Sequence, residues 1–97
     1  MTERIQLSRA RGWRKPENTV VVARPSRFGN PYSVETYGRH AAIGMFRLYA
    51  LQVLGIERIR AELRGWNLAC WCPLDQPCHA DVLLELANAS TPEGDQR

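Results

Sequence analysis

The chain has 97 residues, of which 44% are hydrophobic and 24% charged, and its formal net charge is +3. This length supports one compact domain rather than two independent cores, and the composition excludes an intrinsically disordered chain. No apolar run approaches the roughly 20 residues of a membrane span, and the N-terminus lacks the apolar core of a signal peptide. We therefore expect a cytoplasmic protein without a membrane partner, with a single domain over residues 1–89 and a flexible polar tail over residues 90–97.

The basic residues are concentrated in the first half of the chain. Residues 1–47 contain nine basic and three acidic side chains, whereas residues 48–97 contain four basic and seven acidic ones. Twelve of the thirteen basic residues are arginine. Arginine suits bidentate contacts with phosphate or carboxylate groups, although the codon usage of a GC-rich genome produces the same bias.

The first half contains two predicted strands. Residues 4–8 alternate polar and apolar side chains, and residues 19–24 form a β-branched run, so both segments are predicted strands and the second is the more buried. A polar, basic stretch with Gly12 and Pro16 connects them as a loop. The proline-rich segment 25–33 is predicted to be a rigid, irregular connection.

Two helices, a strand and a last helix follow in the predicted order. The first helix, over residues 40–55, has one apolar face made by Ala42, Phe46, Tyr49, Ala50, Val53 and Leu54. Gly55 ends this helix as a left-handed residue, and a second helix runs to Gly65. Residues 66–72 form a buried strand and residues 78–89 a final helix. The order β-β-α-α-β-α predicts a small α/β domain with about three strands covered by three helices.

All three cysteines and one of the two histidines lie in the segment LACWCPLDQPCHADVL, residues 68–83. On a strand, Cys70 and Cys72 point to the same face, while Cys78 and His79 fall at the start of the last helix. Four donors within ten residues form a Cys3His set, which is a known tetrahedral zinc composition. One alternative is therefore a metal site made by Cys70, Cys72, Cys78 and His79, with zinc as its cofactor.

A second alternative is a reactive thiol at the helix start. The backbone N–H groups and the positive dipole end lower the pKa of a cysteine there, so Cys78 is a candidate nucleophile. His79 is its candidate base, and Asp81 in the first turn is a candidate to orient His79. A third alternative is structural, with Cys70 and Cys72 in the strand core and Cys78 a buried thiol. The sequence leaves enzyme and binding module both open.

The loop ARPSRFGNPY follows the second predicted strand, where ligands of small α/β folds commonly bind. Arg24 and Arg27 offer planar forks for phosphate or carboxylate groups, and Ser26 and Asn30 offer neutral hydrogen bonds. Gly29 allows the backbone to approach a ligand closely. The alternative is a proline-stiffened turn with solvated or ion-paired arginines.

The segments GWRKPENTVVVARPSRFGNPY and LACWCPLDQPCHADVLLELAN together resemble the domain-of-unknown-function 4326 family of small bacterial and phage proteins. The resemblance implies the fold and a phage association, and no reaction. The matching motif positions are Arg24, Pro25, Ser26, Gly29, Asn30, Pro31, Cys70, Cys72, Cys78, His79 and Asp81. The turn PLDQP between the cysteines is a residue or two longer than the family pattern.

The leading hypothesis is a pocket between the loop 24–31 and the helix start at Cys78 and His79. Its expected ligand is anionic, a nucleotide or a nucleic-acid phosphate, and thiol chemistry at Cys78 is left open. The alternative hypothesis is a zinc-stabilised or basic module that binds nucleic acid or a host protein without catalysis.

Overall fold

Three short parallel strands form the sheet of the protein, whose structure is a computed structural model describing residues 2–89. The strands are β1 (Arg4–Gln6), β2 (Thr19–Val21) and β3 (Asn67–Cys70), in the order β1-β3-β2. Leu68 of the central strand pairs with Arg4 on one side and Val20 on the other. The predicted tail over residues 90–97 lies outside the described residues.

Each strand is shorter than the apolar pattern predicted. Val22 still donates its backbone N–H to the carbonyl of Ala69 at 2.8 Å, but the chain then turns, and Ser26 donates to the carbonyl of Ala23 at 2.9 Å. The buried run therefore continues beyond the sheet, since Val22 and Ala23 are both buried after β2 has ended. Burial, rather than strand pairing, produced the apolar pattern here.

The helices are α1 (Val34–Tyr37), α2 (Arg39–Tyr49), α3 (Ile56–Leu63) and α4 (His79–Asn88), and a π-helical segment, Ala50–Leu54, continues α2. The predicted α/β class, with a three-stranded sheet and helices around it, is confirmed. Among the described residues, none of these helices has the length and apolar character required to cross a bilayer.

The one-turn helix α1 directly follows the segment 25–33 that was predicted to be irregular, and it adds a fourth helix to the three that were predicted. The Ser33 hydroxyl accepts hydrogen bonds from the backbone N–H groups of Glu35 and Thr36, which caps the turn. Gly38 ends it with a φ of 82°. A serine followed by an acidic residue in the first turn was the sequence signal for this helix.

The π-helical segment changes which side chains face the core. Val53 was predicted on the buried face of the first helix, and this prediction is wrong, since Val53 is 65% exposed. A π-helix closes its hydrogen bonds over five residues rather than four, so each residue turns the chain by less than in an α-helix. The apolar periodicity therefore loses register after Ala50, which is still fully buried.

The core lies where α4 packs against β1 and β3, with α2 and α3 packed against α4. The largest fully buried side chains are Phe46, Ile59, Leu63, Leu68, Leu83, Val22 and Cys78. Because β3 leads through a short loop into α4, the start of α4 lies at the carboxyl edge of the sheet. The loop after β2 begins at the same edge.

Candidate functional site

Three thiols converge at the carboxyl end of β3. Cys70 ends this strand, Cys72 lies in the bend that follows, and Cys78 is the N-cap of α4. Their Sγ atoms all lie within 4.8 Å of one another, and those of Cys70 and Cys72 are 3.9 Å apart. The reactive-thiol alternative treated Cys78 apart from Cys70 and Cys72, whereas the structure joins all three in one cluster, here called the thiol cluster.

Arg4 of β1 holds the loop that closes the thiol cluster. Its Nη2 donates to the carbonyls of Pro73, Leu74 and Gln76 at 3.1, 2.9 and 2.7 Å. Its Nη1 lies 3.5 Å from the Asp81 carboxylate and is buried without a hydrogen-bond partner among the described residues. Sequence analysis placed Arg4 only as a polar position of a strand, so its role was missed.

The start of α4 is a capping box. The Cys78 thiol accepts from the Ala80 backbone N–H at 3.5 Å, and the Asp81 carboxylate accepts from the Cys78 backbone N–H at 3.0 Å. Asp81, predicted as a candidate catalytic residue that orients His79, is therefore engaged in capping the helix and in pairing with Arg4.

The pKa values of Cys70 and Cys78 are shifted in opposite directions. Hydrogen bonds from the Cys70 and Cys72 thiols lower the pKa of Cys78, helped by the Ala80 N–H and by Arg4 and opposed by burial. The same thiol contacts, with burial, raise the pKa of Cys70. Cys78 therefore carries a thiolate more readily than Cys70.

His79 is oriented by a backbone carbonyl rather than by a carboxylate. Its Nε2 lies 2.8 Å from the carbonyl oxygen of Val22. Because a carbonyl only accepts, Nε2 carries the proton, and the Nδ1 lone pair faces the Cys78 Sγ at 3.6 Å. Burial lowers the pKa of His79, so the ring is neutral near pH 7.

The predicted four-donor metal set is reduced to three in this geometry. Among the described residues, the donors that lie mutually within 4.8 Å are the three thiols, and His79 is outside that set. His79 contacts Cys78 alone of the cluster at hydrogen-bond distance. Cys70, Cys72 and Cys78 are the residues that could hold a metal ion.

A pocket of about 380 Å³ lies beside the thiol cluster. Both segments singled out in the sequence line it: Arg24 and Asn30 from the loop after β2, and the three cysteines with His79 from the second segment. The pocket is at the carboxyl ends of β2 and β3, where parallel α/β sheets usually bind ligands. Ser33, Glu35, Arg39 and Trp71 also line it and were not predicted as site residues.

The predicted ligand-binding residues of the loop have different environments. Arg24 lines the pocket and makes no ion pair among the described residues. Arg27 lies outside the pocket lining and pairs instead with Glu62 at 3.1 Å. Its guanidinium is directed to α3, as in the alternative of an ion-paired arginine, and its role as a ligand contact stays a prediction. Nothing in the sequence distinguishes the two arginines, since both follow β2 in the same loop.

Ser26, Gly29 and Asn30 shape this loop. The Ser26 hydroxyl accepts from the Phe28 backbone N–H at 3.2 Å. A Cβ on Gly29 would lie 2.7 to 3.0 Å from Arg24 atoms, so this glycine permits close approach to Arg24 rather than to a ligand. The Asn30 amide donates to Ala42 at 3.2 Å and accepts from the Tyr32 N–H at 2.9 Å, which ties the loop to α2.

Arg39, the first residue of α2, brings a second guanidinium to the pocket. Its Nη1 donates to the carbonyl of Pro77 at 2.8 Å and lies 3.6 Å from the Cys72 Sγ. Nearby, Trp71 is 43% exposed, and the Arg9 guanidinium lies 4.5 Å from its ring centroid. Trp71 thus lines the pocket and is also exposed at the surface.

The profile of one family, described as "Domain of unknown function (DUF4326)", matches residues 5–89. The match covers most of the chain, and the chain therefore belongs to this family, as the two motif segments indicated. No curated protein and no solved structure matches the chain.

Proposed function

We propose that this member of the domain-of-unknown-function 4326 family binds a small anionic ligand, a nucleotide or a nucleic-acid phosphate, in the pocket beside the thiol cluster. The observation that carries the proposal is that Arg24 and Arg39, from separate segments, line one pocket at the carboxyl edge of a parallel sheet.

The charges around the pocket favour an anion. Arg24 and Arg39 face one acidic lining residue, Glu35. Arg39 donates from Nη1 to Pro77, which orients the guanidinium while leaving its other N–H groups for a ligand. Two planar guanidinium groups that approach from different directions suit a phosphate, which accepts paired hydrogen bonds.

The size and the aromatic residues of the pocket favour a ligand larger than inorganic phosphate. The volume of about 380 Å³ is within the range of small-molecule sites, roughly 300 to 1,000 Å³. Tyr32 and Trp71 line the same pocket, and aromatic rings of this kind stack on nucleobases. A nucleotide would use both the arginines and the rings.

Thermal denaturation with a panel of nucleoside mono-, di- and triphosphates, and with inorganic phosphate, tests the proposal. A ligand at one hundred times its Kd stabilises the folded state by about 2.7 kcal/mol, so at least one nucleotide should raise the Tm by several degrees. Arg24→Ala should abolish the response. Arg27→Ala is the matched control, since Arg27 is in the same loop but pairs with Glu62. Absence of any nucleotide response in the wild type, or an unchanged response in Arg24→Ala, would contradict the proposal.

A second candidate function is binding of a nucleic acid without chemistry. It is favoured by the Arg9 guanidinium stacked on Trp71 at the rim of the pocket, next to the basic segment 9–15. Electrostatic binding of this kind weakens steeply as salt concentration rises. Fluorescence anisotropy with a labelled single-stranded oligonucleotide at low and high salt would reveal it, and Arg9→Ala should weaken it. Absence of oligonucleotide binding at low salt, or affinity unchanged in Arg9→Ala, would contradict this candidate function.

A further inference from the structure

The spacing of the thiol cluster matches the ligand sphere of one metal ion. With Zn–S bonds of about 2.3 Å and tetrahedral angles, two thiolates on the same zinc ion lie about 3.8 Å apart. The Cys70 and Cys72 sulfurs are 3.9 Å apart, and the Cys78 sulfur is within 4.8 Å of both. In a [4Fe–4S] cluster each thiolate binds a different iron atom, which requires a wider spacing, and a [2Fe–2S] cluster requires four thiolates rather than three.

The surroundings of the thiol cluster supply the positive charge that three thiolates need. Arg39 Nη1 lies 3.6 Å from the Cys72 sulfur, and the Ala80 N–H lies 3.5 Å from the Cys78 sulfur at the start of α4. Arg4, whose side chain is only 9% exposed, lies beside Asp81 of the capping box. Its Nη1 has no hydrogen-bond partner among the described residues. Hydrogen-bond donors around metal-bound thiolates orient them and stabilise their charge.

We propose that Cys70, Cys72 and Cys78 bind one zinc ion, and that its fourth coordination position opens into the pocket.

The open position follows from where the fourth donor lies. His79 Nδ1 lies 3.6 Å from the Cys78 sulfur, but His79 is outside the set of donors that lie mutually within 4.8 Å. All three cysteines line the pocket. Three protein ligands with an exchangeable fourth position are the arrangement of reactive zinc sites, whereas closed structural sites have four protein ligands. A water molecule or a donor atom of a pocket ligand would take this position.

Elemental analysis of the full chain, purified under reducing conditions without a metal-affinity tag, tests the binding of zinc. About one zinc ion per chain is expected. Cys72→Ser should lose it, and because Cys72 is only half-buried and lies after the end of β3, this variant should keep the fold, which circular dichroism would verify. A Cys72→Ser protein with the zinc content of the wild type overturns the proposal.

Cobalt substitution measures metal binding directly and does not depend on how much zinc stays bound during purification. Co(II) added to the reduced apoprotein should produce thiolate-to-cobalt charge-transfer bands and the intense ligand-field bands of tetrahedral coordination. Reduced protein that contains no zinc and gives no such bands overturns the proposal.

The open fourth position is tested separately. His79→Gln should keep one zinc ion per chain and the tetrahedral Co(II) spectrum, and azide should shift the ligand-field bands of the cobalt protein by occupying the exchangeable position. Loss of zinc in His79→Gln, or a spectrum unchanged by azide, would show a closed Cys3His site and overturn this part of the proposal. These measurements involve no nucleotide, so their outcome is independent of the proposed function.

Discussion

Replacement of Gly29 by alanine should destabilise the domain through a collision inside the loop that borders the pocket. A Cβ at this position would lie 2.7 Å from the Cγ, 2.9 Å from the Cα and 3.0 Å from the backbone N of Arg24. Two of these three atoms belong to the backbone, so a change of the Arg24 rotamer cannot relieve the contact. Either the loop moves away from Gly29 or Arg24 moves from its place at the pocket.

The expected magnitude follows from other overpacked sites. Inserting a methyl group where the backbone must shift costs about 1–3 kcal/mol. For a domain of this size, each kcal/mol lowers the Tm by roughly 4–8 °C. We therefore expect Gly29→Ala to lower the Tm by about 5 °C or more, and to weaken any nucleotide response that depends on Arg24.

Gly44→Ala is the matched control for this substitution. Gly44 lies inside α2, and a Cβ there meets no heavy atom within 4 Å. Alanine is favoured over glycine in a helix interior by about 1 kcal/mol, so this variant should be more stable than the wild type. Urea denaturation and thermal melting of the two variants measure the difference. Equal stability of Gly29→Ala and the wild type would refute the packing argument.

Two further variants examine the core and the buried histidine. Phe46→Ala should lower the free energy of unfolding by about 3–5 kcal/mol, because the ring is fully buried. As its control, Leu48→Ala at a 59% exposed position should change the free energy of unfolding by less than about 0.5 kcal/mol in the same urea assay. Burial lowers the pKa of His79 in the folded state. Below about pH 6.5, His79 therefore binds a proton more readily in the unfolded state than in the folded state. The free energy of unfolding should accordingly decrease as the pH falls below about 6.5. His79→Gln should flatten that pH profile of unfolding and His40→Gln, at an exposed position, should keep it; equal slopes in the two variants would contradict this assignment.

The helices and strands could be predicted where burial follows a regular spacing. Phe46 and Ala50 recur at helical spacing and are both fully buried. Val53 continues the same spacing and is 65% exposed, because the π-helical turn depends on backbone hydrogen bonds that the side-chain pattern does not encode. Similarly, Val22 continues the β-branched run after the strand has ended.

The candidate site was predictable only in part. Cys78 and His79 could be placed at a helix start because an N-cap position is a local property of the chain. The convergence of Cys72 with Cys78 depends on the fold of the intervening loop, and Arg4, which holds that loop, is 69 residues from Pro73 in the sequence. Long-range contacts of this kind leave no local signal, which also explains why Arg39 was missed.

The central position of β3 determines the order in which this domain can assemble. Within residues 2–89, β1 and β2 each pair with β3 alone, and Arg4 pairs with Leu68, which is far away in the sequence. While residues 67–70 are still being synthesised, neither earlier strand has a partner, so the edge that borders the pocket does not yet exist. Pairing over such sequence separations slows folding relative to a helical domain of equal length. The pocket edge and the thiol cluster therefore both require β3, and a nascent chain that ends before β3 would lack the strand that pairs with β1 and β2.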